Sequence, residues 1–345
     1  MTIEDYPLSA VEPSRWHELL EASGSTSPFC RYSWLRLIQE AYPRWRVGLI
    51  LAEQEGSLAA GLPYVSSRRL IFYQSHCLPW GTPAGVQLRN GADPEIAASL
   101  IEFWVRQNTG ICKSYRLALT FPGLEAAGEV RKALRTFRLR RQRSLAVPLA
   151  GRSFEEWEAS LGSSVRNKNR QAVDRGATFE IVTSPDVVPD ILHLARLNIR
   201  RHGRKGTILT ESFYRLLLDP DGPLAEEPGL VRVFMVRVKG LPAAYSISLA
   251  HAGRLWCWDY GTDSSLFAAR PNNMMYTKRI AVAFKEGFEA VDLGAVPEDT
   301  DSLVDFKRGF GGVGYERYSA VVATGFFRLA AALYRRSACQ PKGGT

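Results

Sequence analysis

Short apolar runs joined by glycine-containing turns occur twice along the chain. Residues 45–67, WRVGLILAEQEGSLAAGLPYVSS, predict a strand, a Glu-Gly turn and a second strand. Residues 231–261, VRVFMVRVKGLPAAYSISLAHAGRLWCWDYG, predict a strand, a Lys-Gly turn, a second strand, an Ala-Gly turn and a third strand. The two segments therefore predict a similar succession of strands and tight turns.

Each set of strands is followed by a helix and then by another short strand. The spacing of apolar residues predicts helices over 93–107 and 271–286, and strands over 114–119 and 289–294. The two halves thus repeat one order of elements at an offset of roughly 180 residues. Two copies of one α/β module are the simplest interpretation, with residues 144–151 closing the first copy.

A helical region is predicted between the copies. Its first part carries a capping signal that ends in Glu156, and Gly176 suits the C-terminal end of a helix. The sequence LGSS at 161–164 divides this part into two helices. The candidate N-terminal caps of the region are Ser153, Ser184 or Asp186, and Thr210.

The length of 345 residues predicts two domains, which we place at 1–150 and 151–325, followed by a C-terminal helix and tail at 326–345. A hydrophobic content of 46% and a charged content of 23% are those of a globular protein. No run of 18 apolar residues occurs, so the sequence predicts no transmembrane helix. The expected fold class is α/β.

Cysteine usage and the N-terminal segment bear on the cellular compartment. The five cysteines are scattered and form no CxxC pair, which favours free thiols in a reducing environment. The first 20 residues contain no basic stretch followed by an apolar one, so they are unlike a secretory signal. The five histidines are also scattered, and the sequence predicts no metal site. We therefore expect a cytoplasmic protein.

The formal net charge of +9 is concentrated in three clusters. Residues 131–143 carry seven basic side chains and no acidic one, and residues 165–176 and 198–206 form two further basic clusters. Such clusters favour a polyanionic partner, whether tRNA, a nucleotide-linked substrate or an anionic lipid. The alternative is a solvated basic face that serves only solubility.

Residues 304–312 read VDFKRGFGG, with one lysine between aromatic residues and three glycines in the last four positions. We expect a loop in which Phe306 and Phe310 orient Lys307 and the glycines let a ligand come close. The simpler interpretation is a surface loop whose lysine extends its ammonium into solvent.

Several segments in the second half, in the same order, resemble the Fem-type family of tandem-GNAT aminoacyltransferases. These segments are SLGSSVRNKNRQAVDRG (160–176), RRHGRKGTILTESFYRLL (200–217), WDYGTDSSLFAARPNNMMYTKRIAVAFKEGFEAVDLG (258–294) and VDFKRGFGG (304–312). The resemblance covers about residues 25–325 and implies two GNAT-like modules with mixed sheets flanked by helices, with the main site in the second. The long coiled-coil arm of some peptidoglycan-bridge enzymes has no counterpart here.

The resemblance implies transfer of an aminoacyl group from aminoacyl-tRNA to an amine, without a metal or other cofactor. Lys307 matches the family's lysine, which implies that it stabilises the negative charge on the carbonyl oxygen in the transition state. Asp292 and Asp263 are the carboxylates nearest the expected cleft, and either could accept a proton from the attacking amine. A turn-forming or capping role is the alternative for both aspartates.

Further side chains are expected to contact substrate. Arg166 and Arg170 lie four residues apart on a predicted helix and share a face, so the pair could clamp a phosphate. Tyr260 and Tyr245 could donate hydrogen bonds to substrate or simply pack in the core. The remaining predicted contacts are Phe306, Arg308, Asn273 and Tyr276.

Acyl-CoA is the alternative donor. Single GNAT enzymes hold the coenzyme A pyrophosphate on a Gln/Arg-x-x-Gly-x-Gly/Ala loop that opens the main helix. The corresponding junction here, ARPNNMMYTKR (269–279), has no glycine, and RNGADPEIA (89–97) has one glycine without the pattern. Both departures argue against a standard coenzyme A site.

Three functional hypotheses follow from the sequence. The leading one is an aminoacyl-tRNA-dependent N-aminoacyltransferase that acts on an amine of a small molecule or of a cell-wall or glycan precursor. The second is an acyl-CoA N-acyltransferase acting on an amino sugar or amino acid. The third is a non-catalytic polyanion- or membrane-binding protein, because the C-terminal helix could contact an anionic membrane as well as dock on the core or dimerise. The sequence does not indicate an oligomeric state.

Overall fold

The structure is a computed structural model that describes residues 1–69, 72–109, 114–121, 137–201, 209–297 and 300–323. It divides into two compact units. The first unit comprises Met1–Ser25, Tyr42–Arg141 and the chain from Tyr318 onward, and the second comprises Thr26–Ala41 and Gln142–Arg317. The predicted helix and tail at 326–345 lie outside the described residues.

Helices and strands alternate along the chain, which confirms the predicted α/β class. In the described residues the helices are α1 (Pro13–Ala22), α2 (Tyr32–Ala41), α3 (Pro94–Asn108), α4 (Phe154–Ser160), α5 (Ser163–Asp174), α6 (Val188–Arg201), α7 (Glu211–Leu218), α8 (Pro271–Lys285) and α9 (Asp301–Gly309). The strands are β1 (Thr2–Pro7), β2 (Arg46–Gln54), β3 (Ser57–Arg69), β4 (Phe72–His76), β5 (Gln87–Leu88), β6 (Ser114–Phe121), β7 (Arg138–Pro148), β8 (Ala177–Val182), β9 (Val231–Val238), β10 (Leu241–His251), β11 (Arg254–Thr262), β12 (Ala290–Val296) and β13 (Val313–Ala323).

The division into units differs from the predicted boundaries in the placement of α2, which groups with the second unit. Its Trp34 is fully buried and packs edge-on against Phe213 and Trp258, with ring centroids 5.9 and 4.9 Å away. The Ser33 hydroxyl donates to the Glu227 carboxylate at 2.7 Å. An apolar anchor and polar contacts within the second unit therefore account for the assignment of this helix.

The first unit contains a sheet with strand order β1-β2-β3-β4-β6. Its neighbours are antiparallel except for β4 and β6, which run parallel. Helix α3 packs on β2 and β3 and buries Leu100, Ile101 and Trp104. At Gly61 on β3 the backbone passes so near the Trp16 ring that an added Cβ would lie 2.4 Å from it. That close approach accounts for the glycine.

The second unit repeats this plan, with strand order β7-β12-β11-β10-β9-β8. Strands β11 and β12 are parallel, and the other neighbouring pairs are antiparallel. Helix α8 corresponds to α3, since both have 15 residues and begin with a proline. Helix α3 leads to β6, which is parallel to β4, and α8 leads to β12, which is parallel to β11. The predicted repeat of one α/β module is confirmed.

Three predicted turns have the backbone geometry that tight hairpins need. Both central residues of each turn have positive φ values, which matches the right-handed twist of the flanking strands. The pairs are Glu55 (52°) and Gly56 (80°), Lys239 (50°) and Gly240 (82°), and Ala252 (48°) and Gly253 (69°).

The predicted helix boundaries between the copies are also confirmed. Ser153 and Glu156 form a reciprocal capping box at the start of α4. The chain breaks at Gly162 and begins α5 at Ser163, as the LGSS sequence predicted. Thr210 caps α7 by accepting a hydrogen bond from the Phe213 amide at 3.2 Å.

The expectation of a loop over 304–312 is wrong, because residues up to Gly309 form α9. The glycines end this helix. Gly311 has a φ of 84°, and its amide donates to the Arg308 carbonyl at 2.8 Å. The Gly312 amide donates to the Lys307 carbonyl at 3.1 Å, which completes a Schellman motif. A Cβ at Gly312 would lie 2.8 Å from that carbonyl oxygen, so the glycines have a structural cause.

Candidate active site

The parallel strands β11 and β12 of the second unit form a fork. Their pairing covers only Arg254–Trp256 with Ala290–Asp292, although both strands continue beyond it. Gly294 lies just past the last pair with a φ of 75°, and a Cβ there would meet the Cys257 carbonyl oxygen at 3.3 Å. On its other side, β12 shifts register against β7 between Asp292 and Ala295. The fork therefore leaves backbone carbonyl groups of β12 outside the ladder.

Lys307 supplies the donors for these carbonyl groups. Its side chain extends from α9, is 3% exposed, and places Nζ 2.6 Å from Leu293 O, 3.0 Å from Gly294 O and 3.3 Å from Ala295 O. An ammonium has three N–H groups, so all three have an acceptor. The alternative of a lysine that extends into solvent is wrong, because the ammonium lies at the fork.

Burial lowers the pKa of the Lys307 ammonium to about 8, because the charged form loses its hydration. Repulsion from Arg279 and Arg317 acts in the same direction, whereas Cys257 and Asp292 oppose it. A cation with a lowered pKa in a water-poor site is the kind of group that stabilises developing negative charge or gives up a proton.

Asp292 is fully buried on β12 and holds an ion pair with Arg317. The Arg317 Nη2 atom lies 3.0 Å from each carboxylate oxygen, and the Tyr315 hydroxyl donates to one of them. The Gly294 amide donates to Oδ1 at 2.8 Å. With its oxygens so occupied, the carboxylate fixes the turn at Gly294, and this arrangement favours a positioning role over the predicted proton acceptor.

Aromatic rings pack around the C-terminal end of α9. Tyr276 on α8 contacts Phe306 edge-on at 5.0 Å and Phe310 at 5.1 Å between ring centroids. Burial raises the pKa of Tyr276 to about 12, so its hydroxyl is protonated at neutral pH. On α8, the Arg279 guanidinium lies 4.5 Å from the centre of the Tyr276 ring. These rings pack on one another beside the end of α9. The orientation of Lys307 by Phe306 and Phe310, and the contact of Phe306 and Tyr276 with substrate, stay predictions.

Asp263 and Tyr260 lie near the end of β11. The Asp263 Oδ1 atom accepts from the Ser265 amide at 2.8 Å and from the Ser265 hydroxyl at 2.7 Å, so this carboxylate caps the short 3₁₀ helix Ser264–Ala269. The alternative of a cap therefore describes Asp263 better than a proton acceptor. The Tyr260 ring is 57% exposed, and a contact with substrate stays a prediction.

Tyr245 is a core residue whose hydroxyl is paired. It is 1% exposed, and its hydroxyl donates to Asp259 Oδ2 at 2.9 Å. The Tyr214 hydroxyl donates to the same oxygen at 2.8 Å. Burial raises the pKa of the Asp259 carboxyl group, and the two tyrosines oppose this shift by hydrogen bonding to the charged form. The predicted contact of Tyr245 with substrate is therefore replaced by an internal hydrogen bond.

The predicted arginine clamp on α5 is not assembled. Arg166 and Arg170 are both exposed, but Arg166 donates through Nη1 to the Ala159 carbonyl at 2.9 Å and to the Leu161 carbonyl. It thereby satisfies carbonyl groups at the end of α4. Arg170 and the neighbouring Lys168 have no such structural partner in the described residues. Phosphate binding by Arg170 stays a prediction.

The start of α8 offers few donors to a pyrophosphate. Pro271 has no N–H, and the amides of Asn273 and Met274 both donate to the Arg270 carbonyl, at 3.0 and 3.3 Å. Asn273 itself is 6% exposed, so its predicted contact with substrate would need an enclosed ligand. Arg308 is exposed on α9, 3.9 Å from Asp305, and its contact with substrate stays a prediction.

The basic clusters are exposed wherever the structure describes them. In the first cluster, Arg138, Arg140 and Arg143 are exposed, and Arg143 pairs with Asp301 at 2.9 Å. In the third, Arg201 lies 4.9 Å from the centre of the Phe267 ring. Residues 131–136 and 202–206 lie outside the described residues.

Sequence reasoning missed Arg279 and Arg317, which with Asp292 and Lys307 are the buried charged side chains of the described residues. Both arginines leave a signal in the sequence. Arg279 follows Met275 and precedes Ala283 at helical spacing, on the buried face of α8. Arg317 shares a strand face with Tyr315, two residues earlier. A charge on an otherwise apolar face was therefore detectable, although its partner was not.

Metal sites and membrane-spanning helices have no candidates in the described part of the chain. In the ranges that the structure covers, no three histidine, cysteine or acidic side chains come together as metal ligands. No described helix combines the length and apolar composition that crossing a bilayer requires.

A known protein family matches the part of the chain that contains this site. Residues 159–308 match the family model for an acetyltransferase (GNAT) domain, which covers α5 to α9 and the fork. No curated protein sequence matches the chain at a significant level. The fold and the family model together define an acyltransferase of the GNAT fold.

Three solved structures have a similar fold over almost their whole length. FemX is 12% identical with a TM-score of 0.62, covering 95% of this chain and 99% of that one. A tandem GNAT protein from the clavulanic acid biosynthesis pathway is 10% identical with a TM-score of 0.61, covering 93% and 98%. The C-terminal domain of a putative lysylphosphatidylglycerol synthetase from Agrobacterium fabrum is 13% identical with a TM-score of 0.58, covering 96% and 98%. The resemblance to Fem-type proteins is confirmed for the fold.

Proposed function

We propose that the protein is an aminoacyl-tRNA-dependent N-aminoacyltransferase. It would form an amide bond on an amine of a small molecule or of a cell-wall or glycan precursor. The observation that carries this proposal is the buried Lys307 ammonium at the fork between β11 and β12, at the position that matches the lysine of Fem-type enzymes.

The chemistry needs a cation near the ester carbonyl of the donor. The acceptor amine attacks this carbon, a C–N bond forms, and the carbonyl oxygen becomes negatively charged until the C–O ester bond breaks. The departing ribose oxygen of the tRNA takes up the proton that the amine loses and becomes a free hydroxyl. Of the three Lys307 hydrogen bonds, the one to Ala295 O is the longest at 3.3 Å. Exchanging this bond for one to the developing oxyanion costs the least.

The start of α8 supports tRNA over coenzyme A as the donor. With a proline at its first position and the Asn273 and Met274 amides bonded to the Arg270 carbonyl, this helix lacks the open cradle that a pyrophosphate needs. The exposed arginines of β7 and α5 provide positive charge that an RNA backbone can use. The name of one structural relative, lysylphosphatidylglycerol synthetase, also refers to an aminoacyl product.

Acyl-CoA remains the second candidate, because the matching family model describes an acetyltransferase domain. The acyl group would then leave from sulfur instead of a ribose oxygen, and Lys307 would have the same role. A non-catalytic protein that binds polyanions or membranes is the third candidate, and it predicts no chemistry with either donor.

The experiment that tests the proposal uses total tRNA charged with labelled amino acids and an amine-containing cell extract as the acceptor pool. Label that enters base-stable products distinct from tRNA is measured for wild type, Lys307→Met and Lys285→Met. The last variant is a matched control, because Lys285 is an exposed lysine at the end of α8. We expect Lys307→Met to lower transfer by about 100- to 1,000-fold, as loss of an oxyanion donor does, and Lys285→Met to leave it unchanged.

The outcomes separate the three candidates. Coenzyme A release with an acyl-CoA donor, and no transfer from charged tRNA, would replace the proposal by the second candidate. No reaction with either donor would favour the binding protein. Transfer that survives undiminished in Lys307→Met would remove the lysine from the mechanism.

The pH dependence offers a further test of the ammonium. Since the pKa of Lys307 is about 8, the charged form is lost as the pH rises through that value. Transfer is therefore expected to fall above about pH 8, and Lys307→Arg, which stays charged, is expected to lose this descending limb.

A further inference from the structure

Arg279 is a buried cation with no carboxylate partner in the described residues. It is 2% exposed on α8. Its Nη1 atom donates to the Ser246 hydroxyl at 2.9 Å, but Nε and Nη2 have no hydrogen-bond partner. Buried guanidinium groups are normally paired, because an unpaired charge away from water is costly.

The two unpartnered nitrogens lie on one edge of the guanidinium. The Nε and Nη2 hydrogens point in the same direction, parallel to each other, while Nη1 lies on the far side next to Cδ. This edge is the one with which arginine binds the two oxygens of a carboxylate or a phosphate. Arg279 therefore presents a bidentate anion-binding edge whose two nitrogens have no hydrogen-bond partner in the described residues, although the guanidinium lies near enough to the Tyr276 hydroxyl to oppose the rise in the pKa of that group.

The groups around Arg279 do not neutralise it. The Tyr276 ring, 4.5 Å away, gives a cation–π contact that offsets only part of the cost of burial. The Ser246 hydroxyl on β10 and the Cys257 thiol on β11 are neutral neighbours. The buried carboxylate of this unit, Asp292, is already taken by Arg317.

The region that includes the fork and the buried Arg279 side chain has an excess of positive charge. Three buried cations (Arg279, Lys307 and Arg317) face one buried carboxylate, and Lys307 is satisfied by neutral carbonyl groups. Repulsion between Arg279 and Lys307 contributes to the lowered pKa of the lysine. An added anion would remove this imbalance, which makes the region complementary to a negatively charged ligand.

An aromatic cluster links Arg279 to the helix that carries Lys307. Tyr276 contacts Arg279 and also the rings of Phe306 and Phe310. Phe306 directly precedes Lys307 on α9, and Phe310 follows the last residue of that helix. An anionic group bound at Arg279 would therefore lie one aromatic ring away from the residues that hold the lysine. A small amine with a carboxylate or a phosphate could reach both points.

We propose that Arg279 binds an anionic group, a carboxylate or a phosphate monoester, carried by the amine that accepts the acyl group. This inference rests on the proposed function for the identity of the acceptor, but binding of the anion itself does not depend on the donor. It narrows the acceptor to amino acids, peptides with a free carboxylate, and phosphorylated amino sugars.

The direct test measures the melting temperature of the protein in sodium acetate or inorganic phosphate, with sodium chloride at equal ionic strength as the reference. We expect both anions to raise the melting temperature of wild type and of Arg215→Met, but not of Arg279→Met. Arg215 is a matched control, since it is an arginine of the same unit that is half exposed and paired with Glu211. Equal shifts in all three proteins, or no shift in wild type, would overturn the proposal.

A second variant covers the case in which Arg279→Met does not fold. Arg279→Lys keeps the charge but not the bidentate edge, so about tenfold more acetate or phosphate should be needed for the same shift. An unchanged anion dependence in Arg279→Lys would also contradict the bidentate contact.

The acceptor test compares alanine with alaninamide, and glucosamine 6-phosphate with glucosamine, using charged tRNA as the donor. Wild type should prefer the anionic member of at least one pair by tenfold or more, through KM, and Arg279→Met should lose this preference. The pair that shows the effect distinguishes carboxylate from phosphate. Anion binding without any transfer would leave the inference standing while the proposed function fails. Transfer that shows no preference for the anionic acceptors and is unchanged in Arg279→Met would support the proposed function and contradict the inference about Arg279.

Discussion

The two units have the same plan but differ in what they bury. In each, a 15-residue helix that begins with a proline leads to the later strand of a parallel pair. In the first unit, the buried polar side chains that the structure describes are neutral, as in the Trp104 Nε1 hydrogen bond to the Ser75 hydroxyl at 3.0 Å. In the second unit, four charged side chains are buried around the fork.

This difference separates the scaffold from the chemistry. A neutral hydrogen-bonded pair stabilises a core without introducing reactivity. Burying a charge costs free energy, so a buried charge is normally paired or has a functional role. We therefore expect the first unit to act as a stabilising copy of the module and the second to support the acyl transfer. Four variants test this comparison, from the largest expected effect to the smallest.

Asp292→Asn should give the largest loss of stability. The substitution leaves the Arg317 guanidinium buried without its counter-ion, so the free energy of unfolding should fall by about 3–5 kcal/mol. Urea unfolding measures this change. Asp263→Asn is the control, because asparagine caps a helix as well as aspartate does and should cost about 1 kcal/mol or less. Similar losses in the two variants would mean that the buried Asp292–Arg317 pair contributes no more to stability than a helix cap does.

The lysine should make stability depend on pH in the second unit. Its pKa is about 8 in the folded protein and 10.5 in the unfolded chain, so the unfolded state binds more protons between these values. The cost of burying the charge is thus fully present below about pH 8 and disappears as the pH rises toward 10.5. The free energy of unfolding of wild type minus that of Lys307→Met should therefore rise by about 3 kcal/mol across this window.

Urea titrations of both proteins at several pH values measure this difference. Taking the difference from Lys307→Met removes the contributions of the cysteines and tyrosines that also titrate above neutral pH. A difference that does not change with pH would show that the ammonium is better hydrated than its burial indicates.

Ser75→Ala probes the neutral pair of the first unit. It removes the acceptor of the buried Trp104 Nε1 group, which should cost about 1–3 kcal/mol. Because no charge is involved, the loss should be the same at all pH values where the protein folds, and acyl transfer by the folded protein should not change. A loss of transfer larger than the loss of folded protein accounts for would argue against a purely structural role of the first unit.

Much of the fold was predictable because it depends on local signals. The turns at Glu55, Lys239 and Ala252, the capping box at Ser153 and the repeat of elements all follow from neighbouring residues. The placement of α2 in the second unit depends on contacts of Trp34 with Phe213 and Trp258, which lie far from it in the sequence, and no local pattern contains that information.

The candidate site was predictable in part. Lys307 was found through the family resemblance, and its burial at the fork was not. The aspartates were expected as proton acceptors, but Asp292 pairs with Arg317, and Asp263 caps a 3₁₀ helix. Whether a carboxylate is paired or open depends on side chains from other elements, which a single sequence does not bring together.

Gly311→Ala tests the end of α9 with the smallest expected effect on stability. Its φ of 84° disfavours a side chain, so the substitution should cost about 1 kcal/mol in the free energy of unfolding. Gly91 in the first unit has the same φ of 84°, and Gly91→Ala should cost about the same. Thermal unfolding of the two variants checks that they are matched.

The two glycine variants should differ in acyl transfer. Gly311 belongs to the Schellman motif that ends α9 four residues after Lys307, so a change in its backbone displaces the helix end that positions the ammonium. Because an error of about 1 Å at a catalytic group can cost 100-fold in rate, Gly311→Ala should lower transfer well beyond its effect on stability. Gly91→Ala should lower it no more than unfolding does. Equal rates in the two variants would mean that the carbonyl groups of the fork, and not the end of α9, determine the position of the Lys307 ammonium.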